Sequence, residues 1–336
     1  MMTMRPLGAS GIEASVIGVG TWVLGGGPTW GEDPDDRESV YTLQAALDEG
    51  INLIDTAPAY GWGRSERVVG EALKGRRDRA VVATKCGLWT DDERGSFFVE
   101  LAGRRMYRSL RPDTIQIEVE RSLRNLGIEC IDLYQTHWPA CPPEATPVAD
   151  TMACLLKLQS QGKIRAIGVS NVTLSELEEN CARGPVASDQ FRYSMLFRDP
   201  ERDILPYCRE HRIATLTYMS LEQGLLTGKV GMDRVFGRED FRSNEVWNAW
   251  YLPANRRRVL DLLAGWGDLT AKYGCSLAQL VLAWTAVQPG VTHVLCGMRN
   301  RQQLKENAGA GRLQLEAADV ARIRQDVVAL GEPVGH

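Results

Sequence analysis

Asp55, Tyr60, Lys85 and His137 are the residues of this chain whose types and spacing could do chemistry together. Tyr60 lies five residues beyond Asp55, on what reads as the loop leaving a strand, so both can face one cleft. A free tyrosine titrates near 10, too high for ready proton transfer at neutral pH. An ammonium such as Lys85 beside it favours the phenolate and lowers that value. Asp55 can pair with Lys85 and hold it in place, and His137 can donate a hydrogen bond to a substrate oxygen and orient it. A proton donor with neither a nucleophile–base pair nor a metal cluster suits reduction of a carbonyl better than hydrolysis. The hydride must then come from outside the protein.

These residues need elements that bring them together. Short apolar, β-branched runs predict strands near Val16–Gly20, Asn52–Asp55, Ala80–Lys85, Ile131–His137, Arg165–Ser170, Val186–Gln190, Ala214–Tyr218 and His293–Gly297. Between them, apolar residues recur at helical spacing. Val40, Leu43, Ala46 and Leu47 share a face in Ser39–Asp48, as do Val68, Val69, Ala72 and Leu73 in Ser65–Lys74, with Ser65 as N-cap. Further helices are expected at Thr114–Leu126, Pro147–Gln161, Leu174–Arg183, Pro200–His211, Arg256–Tyr273 and Leu277–Val287, and two more at Arg301–Ala308 and Ala317–Leu330. Eight strands alternating with helices predict an α/β fold with a parallel sheet, and closure into a (β/α)8 TIM barrel leaves no open edge. Met4–Val16, turning at Ala9-Ser10-Gly11, reads as a hairpin capping the barrel bottom. With no linker in residues 1–336, one domain is expected. The long connections Leu88–Pro112 and Thr227–Asn255 would follow strands three and seven on the face where barrel enzymes keep their sites.

Six predicted strand ends then carry polar residues: Asp55, Lys85, His137, Ser170-Asn171, Gln190 and Tyr218. Each alone has a dull reading, a surface charge or a hydrogen-bonded structural residue. Their common register at one mouth is what points to a site. The opening Gly18-Val19-Gly20 lacks the third glycine of a dinucleotide-binding turn, since position 23 is valine.

Longer motifs extend the pattern. Asn52-Leu53-Ile54-Asp55-Thr56-Ala57-Pro58-Ala59-Tyr60-Gly61 followed by Ser65-Glu66, then Ala83-Thr84-Lys85, Asp132 to Pro139 and Gly162 to Asn171, resemble the aldo-keto reductases, closest to the bacterial general-stress and inositol-operon type. The likeness runs from Leu7 to the last helices. It implies a catalytic tetrad of Asp55, Tyr60, Lys85 and His137, and NADP(H) as coenzyme. Ser170, Asn171 and Gln190 would bind the nicotinamide carboxamide and Tyr218 would stack on the ring. Thr21 and Trp22 belong to the first-strand motif, and Asp55 also borders the coenzyme. Ser220, Leu221, Gln223, Gly224 and Lys229 fall in the loop that wraps the pyrophosphate, with Arg242 reaching a phosphate. Gly297, Arg299, Gln303, Glu306 and Asn307 belong to the segment gripping the adenosine end, where a helix start offers N–H groups to an anion. Arg299 would meet the 2′-phosphate with a planar fork of donors, favouring NADP(H) over NAD(H). Trp22, Trp89 and Trp138, beside Tyr60 and His137, would line the substrate pocket; Trp266 and Trp284, inside predicted helices, read as core. The chain departs from the family at three places: Tyr218-Met219-Ser220-Leu221 replaces the common Tyr-Ser-Pro-Leu, Gln223 a common arginine and Cys296 a common proline.

Bulk properties narrow the class. A net charge of −4 argues against a nucleic-acid binder. No eighteen-residue apolar run and no signal-like start occur, so a cytoplasmic protein away from membranes is expected. Eight scattered cysteines without CxxC or zinc-like histidine spacing read as reduced thiols, and no metal is expected. The implied activity is hydride transfer between NADP(H) and the carbonyl of a small aldehyde, ketone or sugar. The alternatives are a sugar or cyclitol dehydrogenase working oxidatively, and a cofactor-sensing subunit without turnover. The sequence leaves the natural substrate and the oligomeric state open.

Overall fold

The computed structural model describes residues 1–27, 29–30, 34–238, 240–244 and 246–335. The chain opens with a hairpin, β1 (Met4–Pro6) and β2 (Glu13–Ser15), and then alternates strand and helix. The strands are β3 (Ile17–Gly20), β4 (Leu53–Asp55), β5 (Val81–Cys86), β6 (Leu88–Trp89), β7 (Ser96–Leu101), β8 (Arg104–Arg108), β9 (Ile131–Thr136), β10 (Ile164–Ser170), β11 (Ser188–Arg192), β12 (Ala214–Tyr218) and β13 (His293–Gly297). The helices are α1 (Asp36–Asp48), α2 (Arg64–Leu73), α3 (Pro112–Leu126), α4 (Val148–Ser160), α5 (Leu174–Arg183), α6 (Ile204–His211), α7 (Pro253–Ala264), α8 (Gly267–Tyr273), α9 (Leu277–Ala286), α10 (Arg301–Ala310) and α11 (Ala317–Leu330). β3, β4, β5, β9, β10, β11, β12 and β13 pair in parallel in that order, and β13 pairs β3 to close the barrel.

Alternation along each strand explains the layering. Inward residues Leu53, Ala83, Leu133, Ala166, Leu216 and Leu295 form one buried cluster. Outward residues such as Ile54, Val82, Ile167 and Val294 pack under the helices, against Leu43, Val69 and Val119 among others. Each fully buried Val, Leu or Ile is worth roughly 1.5–3 kcal/mol, so an inward–outward slip of register would be severely penalised. The hairpin contributes Leu7, Ile12 and Ala14 to the inner cluster and plugs the barrel bottom. Its turn fits only because residue 8 is glycine: φ is +59°, and a Cβ there would sit 2.2 Å from the Ala187 carbonyl oxygen.

Several local expectations are corrected. Arg256–Tyr273 is two helices, α7 and α8, separated at Gly265 and Trp266. Leu88–Pro112 is no open loop: β6, β7 and β8 form an antiparallel sheet beside the mouth. Ser65 does not cap α2. Gly63 precedes that helix at φ +82°, and the Ser65 hydroxyl bonds Thr21 and Thr56 instead. The connection after β12 contains short 3₁₀ turns and rests on a second apolar cluster including Leu225, Trp250, Tyr251, Trp266 and Trp284; Glu239 and Glu245 within it lie outside the described residues. No helix of the described chain is long and apolar enough to cross a membrane.

Candidate active site

The parallel register delivers the strand ends to one mouth. Asp55 closes β4 and Lys85 is the next-to-last residue of β5, both buried, while His137 follows β9 with its backbone N–H donating to the Cys86 carbonyl oxygen. Lys85 Nζ donates to Asp55 Oδ1 at 2.7 Å, to the Thr56 carbonyl oxygen at 3.0 Å and to the Tyr60 hydroxyl at 3.3 Å. The Tyr60 ring lies edge-on to the His137 ring at 5.8 Å and near-parallel to Trp22 at 6.1 Å. The structure thus brings all four predicted catalytic residues together.

A glycine pair sets the Tyr60 backbone. Gly61 has φ +62°, and a Cβ there would stand 2.0 Å from the Gly25 carbonyl oxygen; a Cβ on Gly25 would meet the Tyr60 carbonyl carbon at 2.7 Å. Gly61→Ala is therefore expected to cost about 2–4 kcal/mol, combining a left-handed residue with overpacking against backbone, and to lower turnover by moving Tyr60. Thermal unfolding together with turnover checks this; an unchanged Tm would show that the loop yields freely.

The electrostatics depart from the sequence expectation. Burial, and then the negative charge of Asp55, push the Tyr60 phenol well above its usual pKa. The 3.3 Å contact with Lys85 does not reverse this, because burial penalises the phenolate more than a neighbouring ammonium already paired with Asp55 rewards it. Burial also lowers the Lys85 pKa, opposed chiefly by Asp55. His137 is held well below the usual histidine value by burial and then by the charge of Lys85, so its ring is neutral at neutral pH. The centre therefore holds a protonated phenol beside a neutral imidazole: one proton to give and one ring able to donate a hydrogen bond to an oxygen.

A cavity of about 760 Å³ opens over this centre and continues along the β12, β13 and α10 ends. Ser170, Asn171, Gln190, Tyr218, Ser220, Leu221, Gln223, Gly224, Lys229, Arg242, Gly297, Arg299, Gln303, Glu306 and Asn307 all line it, with Asp55 and Trp22. Tyr218 donates its hydroxyl proton to Asn171 Oδ1 at 2.7 Å, and Gln190 Nε2 donates to Asp55 Oδ2 at 2.8 Å. Asn171, Met219, Glu222 and Gln223 hold positive φ without being glycine, a concentration of strained backbone of the kind kept at ligand clamps. Toward α10 the charges are partly self-neutralised: Arg242 holds Asp240 and Lys229 holds Glu306, while Arg299 stacks near Trp30 and donates to its carbonyl oxygen. Thr21 is different. Its hydroxyl donates to the Asp55 carbonyl oxygen and pairs with Ser65, and it is fully buried away from the cavity.

On the substrate side, Trp22, Tyr60, His137 and Trp138 line the cavity and Trp89 does not. Trp89 is 1% exposed; its indole N–H donates to Asp92, and the Arg94 and Arg121 side chains cover its ring. The sequence reading missed the remaining walls: Phe98 and Met106 from the β7–β8 hairpin, Trp30 edge-on to Trp22 at 4.9 Å, and Phe241 with Trp247 from the connection after β12. The β-prone runs Phe97-Phe98-Val99 and Met106-Tyr107 on either side of Ala102-Gly103 were the available signal for the hairpin. Among the described residues no group of three His, Cys, Asp or Glu side chains is placed to hold a metal ion.

Comparison with known proteins places this geometry. The Aldo/keto reductase family pattern matches residues 16–327. The NADH-specific methylglyoxal reductase of Escherichia coli strain K12 is 42% identical over 331 residues, covering 98% of this chain and 99% of that protein. The aldo-keto reductase YhdN of Bacillus subtilis strain 168 is 36% identical over 344 residues, covering 99% and 96%. Among solved structures, the glycerol dehydrogenase AKR11B4 from Gluconobacter oxydans superposes with a TM-score of 0.86 at 37% identity, covering 99% of this chain and 97% of that one.

Proposed function

We infer, for a chain that belongs to the aldo/keto reductase family, that it moves hydride between a nicotinamide dinucleotide and the carbonyl of a small aldehyde, ketone or sugar, with Tyr60 giving the proton and NADP(H) preferred. The observation that carries this reading is the contact of one buried ammonium, Lys85, with both Asp55 and the Tyr60 hydroxyl at the floor of an aromatic-walled cavity. When bound, the nicotinamide would supply the hydride.

The residues present fit that group. The groove beyond the tetrad has strained, non-glycine backbone at Asn171 and Gln223 and a buried Gln223 Oε1 without a partner among the described residues, polar features that a dinucleotide's carboxamide, ribose and phosphates can satisfy. Ser170, Asn171 and Gln190 would hold the carboxamide, Tyr218 the ring face, and the Ser220–Gly224 segment, Lys229 and Arg242 the pyrophosphate. The start of α10, with Arg299, Gln303, Glu306 and Asn307, would hold the adenosine end. His137, neutral, would donate to the substrate oxygen and orient it toward Tyr60. Lys85 would steady the phenol oxygen while its proton leaves, and Trp22, Phe98 and Trp138 would exclude water from the transfer. The glycerol dehydrogenase at 37% identity supports oxidation of small alcohols through the same groups run in reverse.

Purified protein should consume NADPH, and NADH more slowly, with methylglyoxal or an aromatic aldehyde. Tight coenzyme binding with no turnover in either direction across aldehydes, ketones, sugars and polyols would move the protein to the sensing role. Arg299 carries the nucleotide preference. Since Arg242 and Lys229 already face Asp240 and Glu306, Arg299 is the cation best placed for a 2′-phosphate. Arg299→Ala is expected to lower kcat/KM with NADPH by roughly 10–100-fold, the size of a lost charge-assisted hydrogen bond, and to leave NADH within about threefold. A wild type that prefers NADH, as the E. coli relative's name implies for that protein, would refute this assignment.

A further inference from the structure

We propose that Gln135 is a positioning residue for proton transfer, its side-chain amide holding the Asp55 carboxylate in the orientation that keeps Lys85 against Tyr60. The proposal rests on the reading above.

Along β9, Leu133 belongs to the inner cluster and Gln135, two residues on, turns to the same side and is fully buried. Its Nε2 donates to Asp55 Oδ2 at 3.2 Å, while its Oε1 is buried with no partner among the described residues. Packing does not explain this choice. The interior below it is filled by Leu53, Ala83, Leu133 and Ala166, and an apolar side chain would fill the position without burying half an amide unsatisfied. What the position provides is a donor to Asp55.

That donor differs in kind from the other one. Asp55 Oδ1 is engaged by Lys85, and Oδ2 by Gln190 at 2.8 Å as well as by Gln135. Gln190 lines the cavity and Gln135 does not. A group entering the cavity can draw Gln190 toward itself, whereas Gln135 is shielded from whatever binds and remains on Oδ2. It fixes the carboxylate plane through the cycle, so that Oδ1 stays on Lys85 and Lys85 stays 3.3 Å from the phenol oxygen. Without it Asp55 can rotate, and its negative charge is less dispersed. The titratable groups facing that charge are Lys85 and Tyr60, with His137 beyond the Tyr60 ring and Glu66 acting on Lys85 from α2. A less dispersed Asp55 charge opposes the phenolate further.

The test uses holoenzyme with Gln135→Leu and, as the unbranched substitute, Gln135→Met, assayed for alcohol oxidation across pH. Expected for folded variants is a kcat lower by roughly tenfold, the scale of one hydrogen bond to a charged group, with KM changed less than about threefold. Coenzyme Kd from fluorescence titration should stay within about twofold, and the rise of kcat with pH should move alkaline by about half a unit or more. Wild-type kcat and pH profile in both variants would overturn the proposal. So would a loss of coenzyme affinity matching the loss of kcat, or failure of both variants to fold by circular dichroism, since each makes Gln135 structural. A wild type inactive on every substrate would instead sink the underlying functional reading.

Discussion

Tyr60→Phe is expected to lower carbonyl reduction by roughly 10²–10⁴, the usual worth of a positioned acid, while coenzyme affinity stays within a few-fold. The substitution keeps the ring that packs against Trp22 and His137 and removes the hydroxyl that Lys85 contacts at 3.3 Å. Neither Lys85 nor His137, the groups beside the phenol, replaces the lost proton. Lys85 is committed to Asp55 and Thr56, and His137, held well below its usual pKa, carries only a neutral N–H. The direction of the Tyr60 shift also fixes the pH behaviour. Because the phenol pKa is raised, its protonated form persists through neutral pH, so reduction should show no loss on this account until strongly alkaline conditions. Oxidation needs the phenolate, which is scarce at neutral pH, so oxidation should climb with pH and the variant should lose that climb. Steady-state rates in both directions, with coenzyme Kd from fluorescence titration, check all of this. If Tyr60→Phe lost coenzyme affinity as steeply as turnover, Tyr60 would be part of the scaffold and not the proton donor.

That Asp55, Lys85 and His137 would meet was legible in the sequence because strand ends in a parallel barrel converge whatever lies between them, and the ends of β4, β5 and β9 carry these three residues. What failed did so for local reasons. Thr21 and Trp89 stand beside motif residues but were captured by near neighbours: Thr21 by Ser65 and the Asp55 carbonyl, Trp89 by Asp92 and two arginines. Ser65 looked like a helix cap because its hydroxyl has the right chemistry, yet a buried partner from the β3 end took it. The Phe98 and Met106 wall lies in strands of six and five residues, where a register irregularity between Phe97 and Val99 breaks the alternation that would mark a strand inside a long connection. The Tyr60 shift went the other way from expectation because its sign depends on burial depth, which a pattern of residue types does not carry. Gln135 was passed over for a related reason: only the barrel register shows that it turns inward onto Asp55.

Burial depth is also why Glu118→Gln should stabilise the protein, and increasingly so as pH rises. Glu118 lies on α3, 3% exposed, where its Oε2 accepts the Gly87 N–H at 2.9 Å just beyond the Lys85 strand. It makes no ion pair among the described residues, since the nearby Arg121 is paired with Asp91. Burial therefore dominates and pushes the carboxyl up to about 8, with the Gly87 hydrogen bond and the Arg121 charge opposing only in part. In the unfolded chain the same group titrates near 4.3. Below that value both states are protonated and the group does not affect the folding balance. As pH rises from there toward 8, the unfolded chain ionises while the folded one stays protonated, so wild-type stability falls by about 1.4 kcal/mol per unit. Above 8 both forms are ionised and the loss levels off at roughly 4–5 kcal/mol. Glutamine keeps the shape and an oxygen for Gly87 and has no charge to bury. The difference in unfolding free energy between Glu118→Gln and wild type, measured in urea from pH 4 to 9, should thus be smallest at the acid end, widen through neutrality and flatten above pH 8. A constant difference across that range would mean that Glu118 is ionised in the folded protein and that Arg121 releases Asp91 to hold it.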